Sequence, residues 1–446
     1  MSSTKLLGLG SGIGLVAANM IGAGVLLSTG FMAQSMGPGA ILLAWAAGAA
    51  LALCGARAYA EVALLVPRSG GEYRYLSELL HPSLGYAAGW ASLLVGFSAP
   101  VAVDALAAGA FAKTLSPSLD PRWTGAGLII ALTALHAAGL KASVRGQNLL
   151  VAVKLVLFTG FICFGLFAGS GRWPAWTPPA PGAGFPLAAF MGSLFYIAFA
   201  FSGWNAAAYA AEEFREPKRD VPRAMLIGCA LVAALYLAVN WVFVANLTPA
   251  DASAVFRYES ESVTLGHVIA QRLAGPGAGR LMSALVILLF VSAMSAMTFA
   301  GPRVYAAMAR DGFLPKVFAG REGRPPAASV LLQSALALLI VFTHDLRQAL
   351  SNVGAILTLF AALTAAGLFR ARFSAGGKFP KPALAGLLAA GVYSASAVYM
   401  LYFGFRDKGS TLLWWLAGVL AAAFAAYVLT SAKNASGPFL RPEPPF

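Results

Sequence analysis

Charge is what this sequence has least of. Asp, Glu, Lys and Arg together make up 11% of its 446 residues, where a soluble domain carries about 25%. That shortage excludes an ordinary water-soluble globule. Cysteine is scarce too: Cys54, Cys163 and Cys229 all stand in apolar segments. The pattern excludes a disulfide framework and a Cys/His metal site. Catalytic signatures are missing as well. The sequence has no Walker A loop, no His-Glu-x-x-His and no Gly-x-Ser-x-Gly, and so no signature of the nucleotide-dependent, metallohydrolase or serine-hydrolase classes. The string "GLGSGIG" at 8–14 resembles a dinucleotide loop, but no strand precedes it, so it reads as helix-packing glycine or the start of the first span. Neither an enzyme nor a cofactor is expected. The N-terminal apolar run is too long for a cleavable signal and lacks a cleavage site.

What is abundant is apolar length. Hydrophobic residues make up 59% of the chain, and mean hydropathy is +0.75. About 20 apolar residues cross a bilayer. Twelve such windows are expected, at 8–34, 39–64, 84–112, 123–140, 144–169, 187–211, 224–247, 278–308, 327–344, 347–370, 384–404 and 411–431. The stretch 248–277 reads as irregular, and the Pro- and Trp-rich 171–186 as a rigid interfacial loop. Twelve spans put both termini on one side. Loop parity then gives 21 Lys and Arg to the terminal side and nine to the other, with Lys154 left inside the fifth span. Cytoplasmic loops collect Lys and Arg, so both termini are expected in the cytoplasm. The net charge of +14 follows from the same rule and from anionic lipid; no nucleic-acid partner is expected.

The first span contains a puzzle. "ANMIGAGVLLSTG", Ala18 to Gly30, places Gly22-Ala23-Gly24 at mid-membrane, where each Gly weakens a helix by ~1 kcal/mol relative to Ala. Close packing of small residues is one explanation. A broken helix is the other, since unwound backbone is tolerated at membrane depth where it lines a cavity. Span six has a matching interruption, Phe201-Ser202-Gly203 within "FAFSGWNAAAYAAEE". The two breaks are five spans apart, the spacing of two inverted five-helix repeats with two helices added. Paired breaks favour a binding site.

The motifs around these breaks resemble the amino acid–polyamine–organocation family of permeases. The most specific stretch is "AFSGWNAAAYAAEEFREPKRDVPRA", Ala200 to Ala224, in which Glu216 replaces the family's usual Asn before Pro217. Further matches are "YAEVALLVPRSGGEYRY", Gly89-Trp90, "KASVRGQNLLVAVKL" and "GPRVYAAMARDGFLP". The triplet Gly203-Trp204-Asn205 is most similar to the light chains of heteromeric amino-acid transporters and their bacterial relatives. The resemblance implies an all-α, leucine-transporter-like membrane fold of twelve helices, a 5+5 inverted repeat plus two: 1–170, 187–370 and 384–431. It implies a substrate site between spans one and six. Gly22 belongs to that site, and a zwitterion needs donors for its carboxylate, which the amides around Ala23, Gly24 and Val25 offer. It needs acceptors for its ammonium, which carbonyls near Met20, Ile21, Phe199 and Ser202 offer. Phe199 falls where the family has an aromatic gate, and Asn205 is a candidate hydrogen-bonding group.

Lys154 lies within span five, between "VAV" and "LVLF". A charge at mid-bilayer costs ~2.5–3.5 kcal/mol on insertion scales, less if it snorkels. The resemblance implies that its ammonium stands where sodium-coupled relatives hold a sodium ion, bridging to carbonyls of span one. Sodium-independent transport is therefore expected, by exchange or by proton symport. Asp104, in span three, either attracts a cationic side chain or is a plain hydrogen-bonded or water-exposed carboxylate, the simpler expectation. Arg57 and Glu61 are spaced to pair. Glu212, Glu213, Lys218, Arg219, Arg303 and Arg310 form either an inner ion network or a solvated rim, and His136 packs or hydrogen-bonds within span four. The expected function is secondary transport of neutral L-amino acids across a bacterial inner membrane. Cationic amino acids or polyamines are the alternative substrates, and an amino-acid-binding sensor the alternative class. No outer-loop cysteine is present for a disulfide-linked partner.

Overall fold

The computed structural model describes residues 6–178, 184–248, 265–321, 324–343, 353–373, 380–408 and 410–433. Regular structure among them is helical, apart from one bridge between Leu7 and Phe214. In chain order the helices are α1 (Leu9–Met20), α2 (Ala23–Met32), α3 (Pro38–Leu65), α4 (Glu72–Leu79), α5 (Pro82–Ala91), α6 (Ala99–Leu115), α7 (Pro121–Ala138), α8 (Leu140–Ala168), α9 (Leu187–Ala200), α10 (Ala206–Tyr209), α11 (Pro217–Asn246), α12 (Leu265–Ala274), α13 (Pro276–Arg310), α14 (Ala327–Thr343), α15 (Val353–Phe373), α16 (Leu384–Lys408) and α17 (Ser410–Lys433).

Proline sets where many of these helices start. Pro38, Pro82, Pro121, Pro217 and Pro276 each open a helix; a missing N–H is harmless there, since the first-turn amides have no partner in any case. Asp120 completes the start of α7 by accepting from the amides of Arg122 at 2.9 Å and Trp123 at 3.1 Å. Between α5 and α6 the chain stays helical but widens into a π segment, Ser92–Ser98, just before Pro100. Proline removes one ladder hydrogen bond, and a wide turn absorbs the mismatch.

Seven helices among the described residues are long and apolar enough to cross a membrane, and the pair α1–α2 makes an eighth if it counts as one span. Two shorter apolar helices are α9 and α14. Helix overlaps each of the twelve expected windows, although the start of the window 347–370 lies outside the described residues. One expectation is corrected. The stretch 248–277 is not wholly irregular, because it contains α12, an amphipathic ten-residue helix too short for a spanning window; residues 249–264 lie outside the described set. In the Pro- and Trp-rich loop, Trp176 donates to the Val244 carbonyl at 2.9 Å and Trp173 packs in a tilted ring contact on Trp241.

The interior is built by α1, α3, α6, α11 and α13. The largest packing surfaces join α3 to α11, α6 to α13, α6 to α7 and α1 to α11. α8 leans on α1 and leaves Leu149, Val156 and Phe167 exposed on its outer face, as lipid contact requires. The cavity described next lies inside this helical packing.

Candidate functional site

Two interruptions meet at the centre. α1 stops at Met20, α2 starts at Ala23, and their axes differ by 49°. α9 stops at Ala200, and turns carry the chain through Phe201–Asn205 to the short α10. Gly24 and Gly203 let the two breaks approach. A side-chain carbon on Gly24 would stand 2.6 Å from the Ala200 Cα, nearer than van der Waals contact permits. Gly203 has φ +103° and abuts Asn19, a conformation that favours glycine.

Ending a helix inside a membrane strands its last carbonyls. Each finds a donor. The Ala17 carbonyl accepts from the Ile21 amide at 2.9 Å. The Ala18 carbonyl accepts from Lys154 Nζ at 2.9 Å, and the Met20 carbonyl from the Tyr236 hydroxyl at 2.6 Å. The same hydroxyl lies 3.0 Å from the Ala200 carbonyl, so one tyrosine touches both breaks. Lys154 is 0% exposed and does not snorkel. A cation there complements the negative end of α1. The charged group that acts on it is Asp104, which has Lys154 as its own charged neighbour.

The cavity beside the breaks measures about 160 Å³, several times the ~30 Å³ share of one water. Met20, Gly22, Gly24, Phe199, Ser202, Gly203 and Asn205 line it. Ile21 and Val25 are fully buried beside it, and the Ala23 side chain lies outside the described residues. Two of the expected carbonyl acceptors are engaged. The Phe199 carbonyl takes both the amide of Ser202 at 3.0 Å and its hydroxyl at 2.7 Å, which fills its two lone pairs. The Met20 carbonyl keeps one lone pair beyond the Tyr236 bond.

Other sequence expectations resolve differently. Asp104 lines the cavity, is 5% exposed and has Oδ2 without a hydrogen-bond partner. It is therefore neither water-exposed nor fully hydrogen-bonded, because the apolar turns of α6 close around it. His136 bonds outside its own helix, to Ser143 at 2.7 Å on α8 and Ser295 at 2.8 Å on α13. Arg57 and Glu61 pair at 2.6 Å.

On the face carrying the N-terminal end of α1, the expected ion network is present in part. Arg303 makes a two-pronged contact with Glu213, at 2.6 and 2.8 Å, and Arg310 meets Glu212 at 3.2 Å. Arg219 instead pairs with its neighbour Glu216. Two backbone bonds, from Leu7 to Glu213 and from Arg215 to Leu7, tie the chain start to the same segment. Arg74 meets Asp311 at 2.9 Å, and the Tyr73 hydroxyl donates to the same carboxylate at 2.6 Å. Burial raises the Tyr73 pKa, and the Asp311 carboxylate adds to the rise. For Arg74 burial works downward, but Asp311 and its neighbours outweigh it and the net direction is upward.

Three site residues escaped the sequence reading: Tyr236, Asn19 and Glu72. Asn19 lines the cavity with its Nδ2 buried and unbonded. Glu72 lines it too, and its carboxylate collects donors from Tyr59, Asn205 and Tyr209. Asn205 therefore spends its amide on Glu72 and Tyr209. A polar residue beside the first break and an acid after Gly70-Gly71 were the available signals; nothing local marked Tyr236.

Comparison with known proteins adds the following. Residues 7–430 match the family model for amino acid permeases. The human b(0,+)-type amino acid transporter 1 is 28% identical over 383 residues, covering 84% of this chain and 77% of that protein. The human large neutral amino acids transporter small subunit 2 is 28% identical over 416 residues, covering 90% and 75%.

Proposed function

The chain belongs to the amino acid permease family and is a multi-pass secondary transporter of amino acids, and we propose that it works by alternating access around its two broken helices. The reading rests on one observation above all: both breaks border a single cavity. The amino acid's carboxylate sits at the amide-rich start of α2, where a half-helix favours an anion. Its ammonium faces the carbonyls of Met20 and Ile21. The Asn19 amide adds a donor for the carboxylate. The apolar lining, with Phe199, Phe201, Phe360 and Met400, favours neutral L-amino acids. The Glu72 carboxylate favours cationic ones as a second class.

Lys154 supplies the fixed cation that satisfies the Ala18 carbonyl, which makes a sodium ion unnecessary there. Transport is by amino-acid exchange or proton symport. The twelve-span count, with repeats at 1–170 and 187–370 and two added helices at 384–431, fits the paired breaks. The excess of Lys and Arg on the terminal side supports cytoplasmic termini; the membrane proposed is a bacterial inner membrane. The ion network then seals the cytoplasmic face.

Uptake of labelled amino acids into proteoliposomes tests the reading, with sodium absent, an inward proton gradient imposed, and the lumen either empty or loaded. Uptake into empty vesicles that collapses with the gradient means symport. Uptake only into loaded vesicles means exchange. No uptake in either condition overturns the assignment of this mechanism and substrate class.

A further inference from the structure

Two carboxylates line the central cavity, Asp104 and Glu72, and they differ in their hydrogen bonds: Asp104 Oδ2 has none, whereas Glu72 collects three donors. Among the described residues, no Lys, Arg or His nitrogen forms an ion pair with Glu72. It is 6% exposed. The Tyr59 hydroxyl donates to Oε1 at 2.9 Å, the Asn205 amide to Oε1 at 2.5 Å, and the Tyr209 hydroxyl to Oε2 at 2.6 Å. Asn205 Nδ2 also reaches the Tyr209 oxygen at 3.0 Å, which fixes the direction of that network: amide to phenol, phenol to carboxylate. Every donor points at Glu72, the arrangement an ionised carboxylate requires. All three donors are neutral.

A buried carboxylate held by neutral donors leaves its charge uncompensated, and a low-dielectric cavity transmits that charge to whatever enters. The group is also within reach of the break in span six. Asn205 belongs to that break and touches Glu72 directly, so the carboxylate stands one side chain away from the turn that borders the α-group site. A second cavity acceptor with spare capacity, Asp104 Oδ2, leaves the interior acid-rich overall.

We propose that Glu72 forms a cation-accepting subsite in the central cavity, which takes the side-chain ammonium or guanidinium of a cationic amino acid. The proposal rests on the transport reading above and deepens it: neutral amino acids use the breaks alone, and cationic ones use the breaks and Glu72 together. Tyr59, Asn205 and Tyr209 position the carboxylate. The one oxygen bonded by Tyr209 alone, Oε2, has the lone pair that a substrate nitrogen needs.

Competition measures this directly. Initial uptake of a labelled neutral amino acid into proteoliposomes is inhibited by unlabelled lysine, arginine or norleucine, the last matching lysine in length without its charge. In wild type, lysine or arginine competes. In Glu72→Gln the ratio of the lysine to the norleucine inhibition constant rises about tenfold, the loss of one charged hydrogen bond. Asp104→Asn shifts that ratio less. The subsite is overturned if neither cationic amino acid inhibits wild type, or if Glu72→Gln leaves the ratio unchanged. If wild-type vesicles take up no amino acid, the transport reading fails. The subsite is then decided separately, by thermal stabilisation of the detergent-solubilised protein. Stabilisation by lysine beyond that by norleucine, reduced in Glu72→Gln, supports it; equal stabilisation in both proteins overturns it. A Glu72→Gln variant that does not fold passes the same comparison to Glu72→Asp, which keeps the charge but draws it back one methylene and weakens lysine relative to norleucine.

Discussion

Lys154 and Tyr236 each answer the same local problem, a carbonyl stranded by the end of α1. Replacing Lys154 with Met keeps much of the side chain's bulk but removes the donor to Ala18 and the counter-charge of Asp104. A charged hydrogen bond is worth ~1.5–3 kcal/mol. Lys154→Met is expected to lower uptake at least about tenfold and to lower the melting temperature in detergent, read by proteoliposome uptake and a thermal unfolding scan. Wild-type uptake is expected to be the same in sodium and potassium buffers; sodium stimulation would remove the role assigned to Lys154. Tyr236→Phe is the cleaner substitution. Its ring keeps the contacts with Trp45 and Phe201, at 5.5 and 5.0 Å between centroids, and only the hydroxyl is lost. The Met20 carbonyl then loses its donor, an effect of ~1–3 kcal/mol for a buried acceptor. Uptake is expected to fall about tenfold while the protein remains folded by gel filtration; unchanged uptake would separate the hydroxyl from the transport cycle.

At the scale of helices, the two breaks depend on backbone proximity more than on side chains. Gly24→Ala puts a methyl 2.6 Å from the Ala200 Cα. Because the obstacle is backbone, α2 must move away from α9, and overpacking of this kind costs ~1–3 kcal/mol. Gly203→Ala meets Asn19 and also forces an L side chain to φ +103°, where strain is of order 1–3 kcal/mol. Both variants are expected to raise the substrate KM and lower the melting temperature. Gly127→Ala, placed where an added methyl has open space, is expected to change neither. The π segment before Pro100 is a third element-scale device. Its wide turn presents Ser92, Gly96 and Phe97 to the cavity. The sequence displayed both interruptions, Gly22-Ala23-Gly24 and Phe201-Ser202-Gly203, plainly. It did not display which helices the glycines accommodate.

Across the whole molecule, the ion network joins segments far apart in sequence: Leu7, Arg74, Glu212, Glu213, Arg303 and Asp311. In the proposed alternating access one face opens while the other closes, and the network is proposed as the contacts that hold this face shut and break in each cycle. Arg303→Gln removes a nearly buried guanidinium from Glu213. Hydrogen exchange of the segments 7–11 and 212–216 is expected to quicken about tenfold, equal to ~1.4 kcal/mol of lost local stability. Equal protection in wild type and variant would show that the network is a rim decoration and not a gate. Adding Glu213→Gln to Arg303→Gln is expected to change exchange little further, because the two groups act as one pair.

The sequence by itself determined the membrane setting, the helical windows and the two interruptions. Each is written in local composition: apolar runs of spanning length, charge gathered mostly in loops and at span ends, glycines where a helix wants better formers. It also determined Lys154, because a lone charge in an apolar run has to be accounted for. Only the tertiary structure decided how the polar groups divide among partners. Asn205 and Tyr209 come from the second break and the short helix after it, Tyr59 comes from α3, and their convergence on Glu72 of α4 sets a carboxylate held by three neutral donors in the cavity. Composition and periodicity report what a segment buries. Hydrogen bonds between segments distant in sequence depend on which helices cross and at what depth, and that is fixed only when the whole chain has packed.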